Sequence, residues 1–252
     1  MKLQDRVVLI TGASRGIGRA IALMFAREGA KIILDYHVSD YEPDAENNVK
    51  DVSRVINEMG GECISIEADI SQEDIVKMLV SKGIEKFGRI DVLVNNAGIV
   101  FDLPISERTI EQWQRTINTN LMGCYMCSKY ASESMMDNKF GKIINISSTN
   151  AINCFNPDSL DYDASKAGII TLTKNFAKAL FPYVNVNAIA PGWVDTEMNK
   201  DLPQEFVNDE ASKIYLNRFA QPEEIANVAL FLASEDARYV NGSVIIVDGG
   251  HD

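Results

Sequence analysis

Thr11-Gly12-Ala13-Ser14-Arg15-Gly16-Ile17-Gly18 decides how this chain is read. It follows directly on the β-branched run Val7-Val8-Leu9-Ile10 and opens into a helical pattern over 19–28. Glycine at such a junction lets the backbone turn tightly and approach a ligand, and the helix beyond it offers unpaired N–H groups to an anion. Alone, a glycine triplet marks only a tight strand–helix turn. Between the first strand and first helix of an alternating chain, it marks a seat for the pyrophosphate of a dinucleotide. The spacing here is G-x-x-x-G-x-G rather than the commoner G-x-G-x-x-G.

The chain beyond alternates in the same way. Strand candidates lie over 7–11, 31–35, 63–68, 92–95, 142–147, 185–190 and 243–247. Between them apolar residues recur at helical spacing. Val49, Val52, Ile56 and Met59 form one stripe, and Trp113, Ile117, Leu121 and Cys124 a second. Ile169, Leu172, Phe176 and Leu180 form a third; Ile225, Val228, Ala229 and Leu232 form a fourth, entered at Pro222. The strand runs are apolar throughout, as strands covered on both faces are. The pattern predicts an α/β fold: one Rossmann-type domain over 1–252, a doubly wound parallel sheet of about seven strands with helices on both faces.

Composition narrows the function classes. Across 252 residues, 24 Lys+Arg against 36 Asp+Glu give a net charge of −12, which repels phosphates and argues against nucleic acid or an anionic membrane as partner. No apolar run approaches the ~18 residues of a membrane span. The opening Met1-Lys2-Leu3-Gln4-Asp5-Arg6 has no signal-peptide character, so a cytoplasmic location is expected. Four cysteines are too few for a disulfide framework. Cys124-x-x-Cys127 lies mid-helix with no second pair and no nearby histidine, so it is read as buried small hydrophobes, with no metal site expected.

Tyr162 and Lys166 stand four apart in a helical stretch and so share one face. A phenol ordinarily titrates near ~10, too high for ready acid–base work at neutral pH, and a neighbouring ammonium lowers it. Asn95-Asn96-Ala97-Gly98 closes the fourth strand at its carboxyl end, where open α/β sheets bind ligands.

Taken in order, these motifs resemble the short-chain dehydrogenase/reductase family over essentially the whole chain. The resemblance is carried by Thr11-Gly12-x-x-x-Gly16-x-Gly18, Asp69-Ile70, Asn95-Asn96-Ala97-Gly98, Asn120, Ser147-Ser148 and Tyr162-x-x-x-Lys166. Pro191-Gly192, Asn241-Gly242 and Val247-Asp248-Gly249-Gly250 complete it, and the 3-oxoacyl-(acyl-carrier-protein) reductase-like branch is the most similar. The resemblance implies hydride exchange between a nicotinamide and a carbonyl or secondary alcohol. Tyr162 is then the proton donor, Lys166 lowers its pKa and holds the nicotinamide ribose, and Ser148 holds the carbonyl oxygen. Asn120 is expected to position a water behind Lys166. For the cofactor, the family pattern marks Gly12, Ser14, Arg15, Gly16, Ile17, Gly18, Tyr36, His37, Asp69, Ile70, Asn96, Ala97 and Gly98, with Pro191, Gly192, Val194 and Thr196 after the sixth strand. Ser148 lies 14 residues before Tyr162 where the family usually has 13, the place of Thr149. A one-residue insertion within 150–161 accounts for this; Ser148 is preferred and Thr149 is the alternative.

Cofactor choice is read at the end of the second strand. NAD-specific relatives carry an acid where Tyr36 stands, Asp35 should face away, and Arg15 suits a 2′-phosphate, with His37 a second contact. NADP(H) is therefore expected over NAD(H), with Asp40, Glu42, Asp44 and Glu46 read as a solvated loop. The segment 193–219 corresponds to a substrate lid, with Trp193, Met198, Phe206 and Tyr215, joined by Phe155 and Leu160, as its apolar lining. Glu133 stands where carrier-protein reductases carry arginine, which weighs against an acyl-carrier-protein partner. The competing readings are a reductase of a free sugar, steroid or simple ketone and a dinucleotide-binding sensor. The sensor reading predicts loss of Tyr162, Lys166 or Asn120, and all three are present. A serine hydrolase is excluded by the lack of a G-x-S-x-G elbow and by histidines at only 37 and 251. Apolar residues off the inward stripes (Met122, Tyr125, Met135, Met136, Ile170, Ala177 and Phe181) point to an interface. The resemblance, whose members pair these two helices and bury the C-terminal strand, here Val244-Ile245-Ile246-Val247, implies a homotetramer, with a homodimer as fallback.

Overall fold

Val7-Val8-Leu9-Ile10 forms β1 (Val7–Ile10), an interior strand of the sheet buried at every position. The computed structural model describes residues 1–40, 42–154 and 157–250. β1 pairs in parallel with β2 (Lys31–Tyr36) on one side and β4 (Val92–Asn95) on the other, setting Leu9 beside Ile33 and Leu93. β3 (Glu62–Glu67) lies outside β2; β5 (Gly141–Ile146), β6 (Val184–Pro191) and β7 (Val244–Val247) continue beyond β4. The sheet is seven-stranded, parallel throughout, and ordered β3-β2-β1-β4-β5-β6-β7. The order reverses between β1 and β4, so a crevice opens at their carboxyl ends.

The helices follow as the right-handed crossovers demand. They are α1 (Gly16–Arg27), α2 (Ala45–Glu58), α3 (Glu73–Phe87), α4 (Ile110–Thr116), α5 (Gly123–Asp137), α6 (Asn150–Asn153), α7 (Leu160–Ala179), α8 (Gln204–Lys213) and α9 (Pro222–Ala233). Val8 and Ile10 point into one core with Ile21, Phe25, Val52, Ile56, Ala229 and Leu232 of α1, α2 and α9. Val7 and Leu9 point into the other with Val76, Leu79, Cys127, Ala131 and Ala177 of α3, α5 and α7. Alternation along one strand thus feeds both layers. Among the described residues, no helix is long and apolar enough to cross a membrane.

The helix expected to carry Trp113, Ile117, Leu121 and Cys124 on one stripe is interrupted. Ile117–Met122 makes a π-helical turn between α4 and α5, a feature frequent at functional sites, and it carries Asn120. The inward stripe differs accordingly. Thr116, Asn120, Cys124, Cys127, Ala131 and Met135 are buried, while Trp113, Ile117 and Leu121 are half-buried on the flank. Leu121 packs on Gly168 of α7, where an added Cβ would come within 2.8 Å of it. Two other surface expectations are corrected: Met135 is wholly buried beneath Gly141, and Ala177 lies in the core beside β6. Met59 falls past the end of α2 and is exposed. Segment 193–219 holds a helix, α8, and one parallel bridge between Val194 and Ala220.

Candidate active site

The turn after β1 is built so that its backbone faces the crevice. Gly12 has φ +63° and Gly16 φ +52°, conformations that L side chains rarely adopt. A Cβ on Gly12 would also come within 2.9 Å of the Ala97 backbone, and one on Gly18 within 2.2 Å of the Gly12 carbonyl. Thr11 Oγ1 accepts from the Asn96 and Ala97 amides at 3.0 and 3.1 Å, and Asn96 Nδ2 donates back to the Thr11 and Gly12 carbonyls at 3.0 and 2.9 Å. The turn and the end of β4 are one unit, ending at the N-terminus of α1. A narrow backbone cradle at a helix start fits a pyrophosphate.

A cavity of about 950 Å³ runs from this cradle to segment 193–219. Ser14, Arg15, Ile17, His37, Asp69, Ile70, Gly98, Pro191, Gly192, Val194 and Thr196 line it with Gly12, Gly16, Asn96 and Ala97. Gly18 packs beneath the turn instead. Tyr36 is a correction: its ring packs against the core on the α1 side, while its neighbours Asp35 and His37 line the cavity. Asp35 lies on the other face of β2, as alternation requires, but the turn bends over it. Its Oδ2 accepts from the Gly12 amide at 3.2 Å, Oδ1 has no partner among the described residues, and burial raises its pKa well above the ordinary carboxylate value.

At the far end Ser148, Tyr162 and Lys166 converge. Ser148 lines the cavity with the Tyr162 phenol and lowers its pKa, which Thr149 does not, and the Ser148 hydroxyl accepts from the Asn150 amide at 3.2 Å. Ser147 faces the opposite way, donating to the Lys166 carbonyl at 2.8 Å. Lys166 is buried; its Nζ donates to the Ile146 carbonyl at 2.8 Å and lies 5.4 Å from the Tyr162 ring centroid. Burial lowers its pKa to about 8. The phenol is raised to about 12, by burial first, with the neighbouring Ser148 hydroxyl opposing. The expected lowering of Tyr162 by Lys166 is absent from this arrangement, because desolvation outweighs a charge directed at a carbonyl. Tyr162 therefore keeps its proton at neutral pH. Asn120 does not line the cavity. Its side chain accepts from the Ile99 amide at 2.8 Å and donates to the Ile99 carbonyl at 2.9 Å and to Ser165 Oγ at 3.1 Å, pinning the loop after β4 against α7.

The sequence reading missed Arg108. Its guanidinium is buried, pairs with Asp161 Oδ1 at 2.5 Å, and donates to the carbonyls of Phe101, Leu103 and Asp158. Thr116 Oγ1 donates to Asp161 Oδ2 at 2.7 Å. The start of α7 is thereby tied to the loop over the cavity. No motif announced this, since the partners are far apart in sequence. Glu42 is another correction: it lines the cavity, 3.1 Å from Arg15.

Trp193 holds segment 193–219 together: its indole N–H donates to Glu210 at 2.8 Å and its ring stacks on Phe219 with centroids 5.3 Å apart. Trp193, Met198, Leu202 and Phe206 line the cavity. Leu160 and Tyr215, expected there, are exposed outside it, and Phe155 lies outside the described residues. Cys124 and Cys127 are buried and free, with burial pushing the Cys124 thiol up to about 12.

Residues 12–252 match the sequence family described as Enoyl-(Acyl carrier protein) reductase. The chain is 40% identical over 251 residues to a 3-oxoacyl-(acyl-carrier-protein) reductase of Thermotoga maritima, covering 99% of both. It is 42% identical over 250 residues to the enzyme of that name from Synechocystis, covering 98% of this chain and 97% of the relative. Among solved structures, a double mutant of a Serratia marcescens short-chain dehydrogenase/reductase is similar at TM-score 0.92 and 33% identity, covering 99% of both chains. One from Mycobacterium marinum gives 0.91 and 33%, covering 98% of this chain and 96% of that one.

Proposed function

The chain belongs to the short-chain dehydrogenase/reductase family, and on that premise we propose that it reduces a 3-oxoacyl thioester or a close analogue, with NADP(H) preferred. It is a nicotinamide-dependent oxidoreductase acting on C=O/CH–OH. One observation carries the site assignment: Ser148, Tyr162 and, on the next turn, Lys166 line the same cavity that begins at the glycine cradle. When bound in this cavity, a nicotinamide would supply or accept the hydride. The protein's part is electrostatics and proton delivery. Ser148 and Tyr162 donate to the carbonyl oxygen as negative charge gathers there, and the Tyr162 proton, held at neutral pH, passes to it. Lys166, charged below about 8, replaces that proton's charge, and Asn120 fixes the loop that walls the site.

NADP(H) is supported by Arg15 at the cavity rim, and the thioester by the relatives' activity. A second reading, a free small-molecule carbonyl, is favoured by exposed Glu133 and by Asp102, Glu111, Asp158, Glu197 and Glu210 around the cavity. These would repel an acidic carrier protein. The chain's free cysteines suit a reducing cytoplasm. Exposed Met122, Tyr125, Phe181 and Ile246 support a homotetramer. Oxidation of NADPH and NADH should be followed against short 3-oxoacyl thioesters and matched free ketones. Faster turnover of thioesters with NADPH is expected. Turnover of ketones alone would move the assignment to the second reading, and none with either cofactor would overturn both.

A further inference from the structure

The loop joining β2 to α2 is acidic, but its carboxylates do not share one fate. Glu46 pairs with Lys50 at 2.7 Å, and Asp44 is exposed. Glu42 is different. A small antiparallel bridge, in which the Glu42 amide donates to the Ser39 carbonyl at 3.0 Å, curls the loop back to the cavity. Its carboxylate is only 16% exposed, sits 3.1 Å from Arg15 Nε, and accepts from Asn48 Nδ2 at 3.3 Å. Arg15, His37, Ser39 and Glu42 line the same end of the cavity.

We propose that Glu42 is a specificity-determining residue: it holds Arg15 in an ion pair that a cofactor 2′-phosphate has to displace, and so narrows the preference for NADP(H) over NAD(H). The inference rests on the reading above that a nicotinamide dinucleotide binds here. Carboxylate and phosphate compete for the same guanidinium fork. A 2′-hydroxyl brings no charge and leaves the pair intact. A phosphate must take the guanidinium and then lie beside a like charge in a half-buried setting, where screening is weak. Specificity is a difference of two affinities, and Glu42 acts by weakening one of them.

The test is the ratio of dissociation constants for NADPH and NADH, measured by titration of the intact protein. Glu42→Gln keeps the side chain's size and its acceptor for Asn48 while removing the charge. The ratio should move at least tenfold toward NADPH. In an Arg15→Ala background the same change should move it less than about threefold, since the competition needs the guanidinium. A shift below twofold in Glu42→Gln, an equal gain for both cofactors, or full persistence without Arg15 would overturn the proposal. Failure of the wild-type protein to bind either dinucleotide would instead overturn the functional reading beneath it. Thermal melting of each variant separates loss of fold from loss of binding.

Discussion

Replacing Arg108 by methionine should be among the most damaging single changes outside the reacting residues. Asp161 is wholly buried, and its two side-chain donors are Arg108 at 2.5 Å and Thr116 at 2.7 Å. Methionine leaves the carboxylate with Thr116 alone and removes the donor from three carbonyls. Breaking a buried ion pair from one side costs about 3–5 kcal/mol, against a total domain stability of about 5–15 kcal/mol. For a chain of this length, each kcal/mol corresponds to roughly 2–4 °C of melting temperature, so the loss should be about 6–20 °C. Arg108→Met combined with Asp161→Asn removes the stranded charge and should regain at least half of that loss. Differential scanning calorimetry with urea unfolding gives both numbers. A loss under 1 kcal/mol in Arg108→Met, or a double variant as unstable as the single one, would refute the reasoning.

Three further outcomes are expected. Asp35→Asn should stabilise the protein at neutral pH by about 1–2 kcal/mol, because a carboxyl whose charged form is penalised by burial is replaced by a group that carries no charge in water or in the fold. The folded-state pKa of Asp35 is raised, so the wild type loses stability as pH climbs from the unfolded value near 3.8; the gap between the two proteins should therefore shrink toward pH 4, and a gap that widens there contradicts the assignment. Carbonyl reduction should be level at mildly acid to neutral pH and decline above about 8 as Lys166 loses its proton, whereas an unchanged rate through pH 9.5 would exclude that role. Light scattering at micromolar concentration should give about four times the 27.9 kDa chain mass; a monomer mass that persists on concentration counts against the assembly.

The fold was legible because its signals are local. Four consecutive buried residues in β1, glycines at positive φ after it, and Pro222 at the first turn of α9 each state their structure within a few positions. The positions of Tyr162, Lys166 and Ser148 were legible for the same reason. What escaped depends on contacts between distant segments or on polar burial. Thr116 and Asn120 form the buried face of their helix because Asp161, Ile99 and Ser165 bond them, and a count of apolar residues selects the neighbouring stripe instead. Arg108, Asp35 and Glu42 look like ordinary surface charges until the loops carry them to their partners. Tyr36 was misplaced because alternation predicts which face a residue takes, but not that the glycine turn bends over the other one.

The central claim, that Tyr162 delivers the proton, is tested most directly by single-turnover reduction of a carbonyl substrate by Tyr162→Phe with the dinucleotide bound. Only the phenolic oxygen is removed, and the cradle and Lys166 stay in place. The rate should fall by about 10²–10⁴-fold while the dinucleotide dissociation constant changes less than about threefold. Reduction within about tenfold of the wild-type rate would contradict the account.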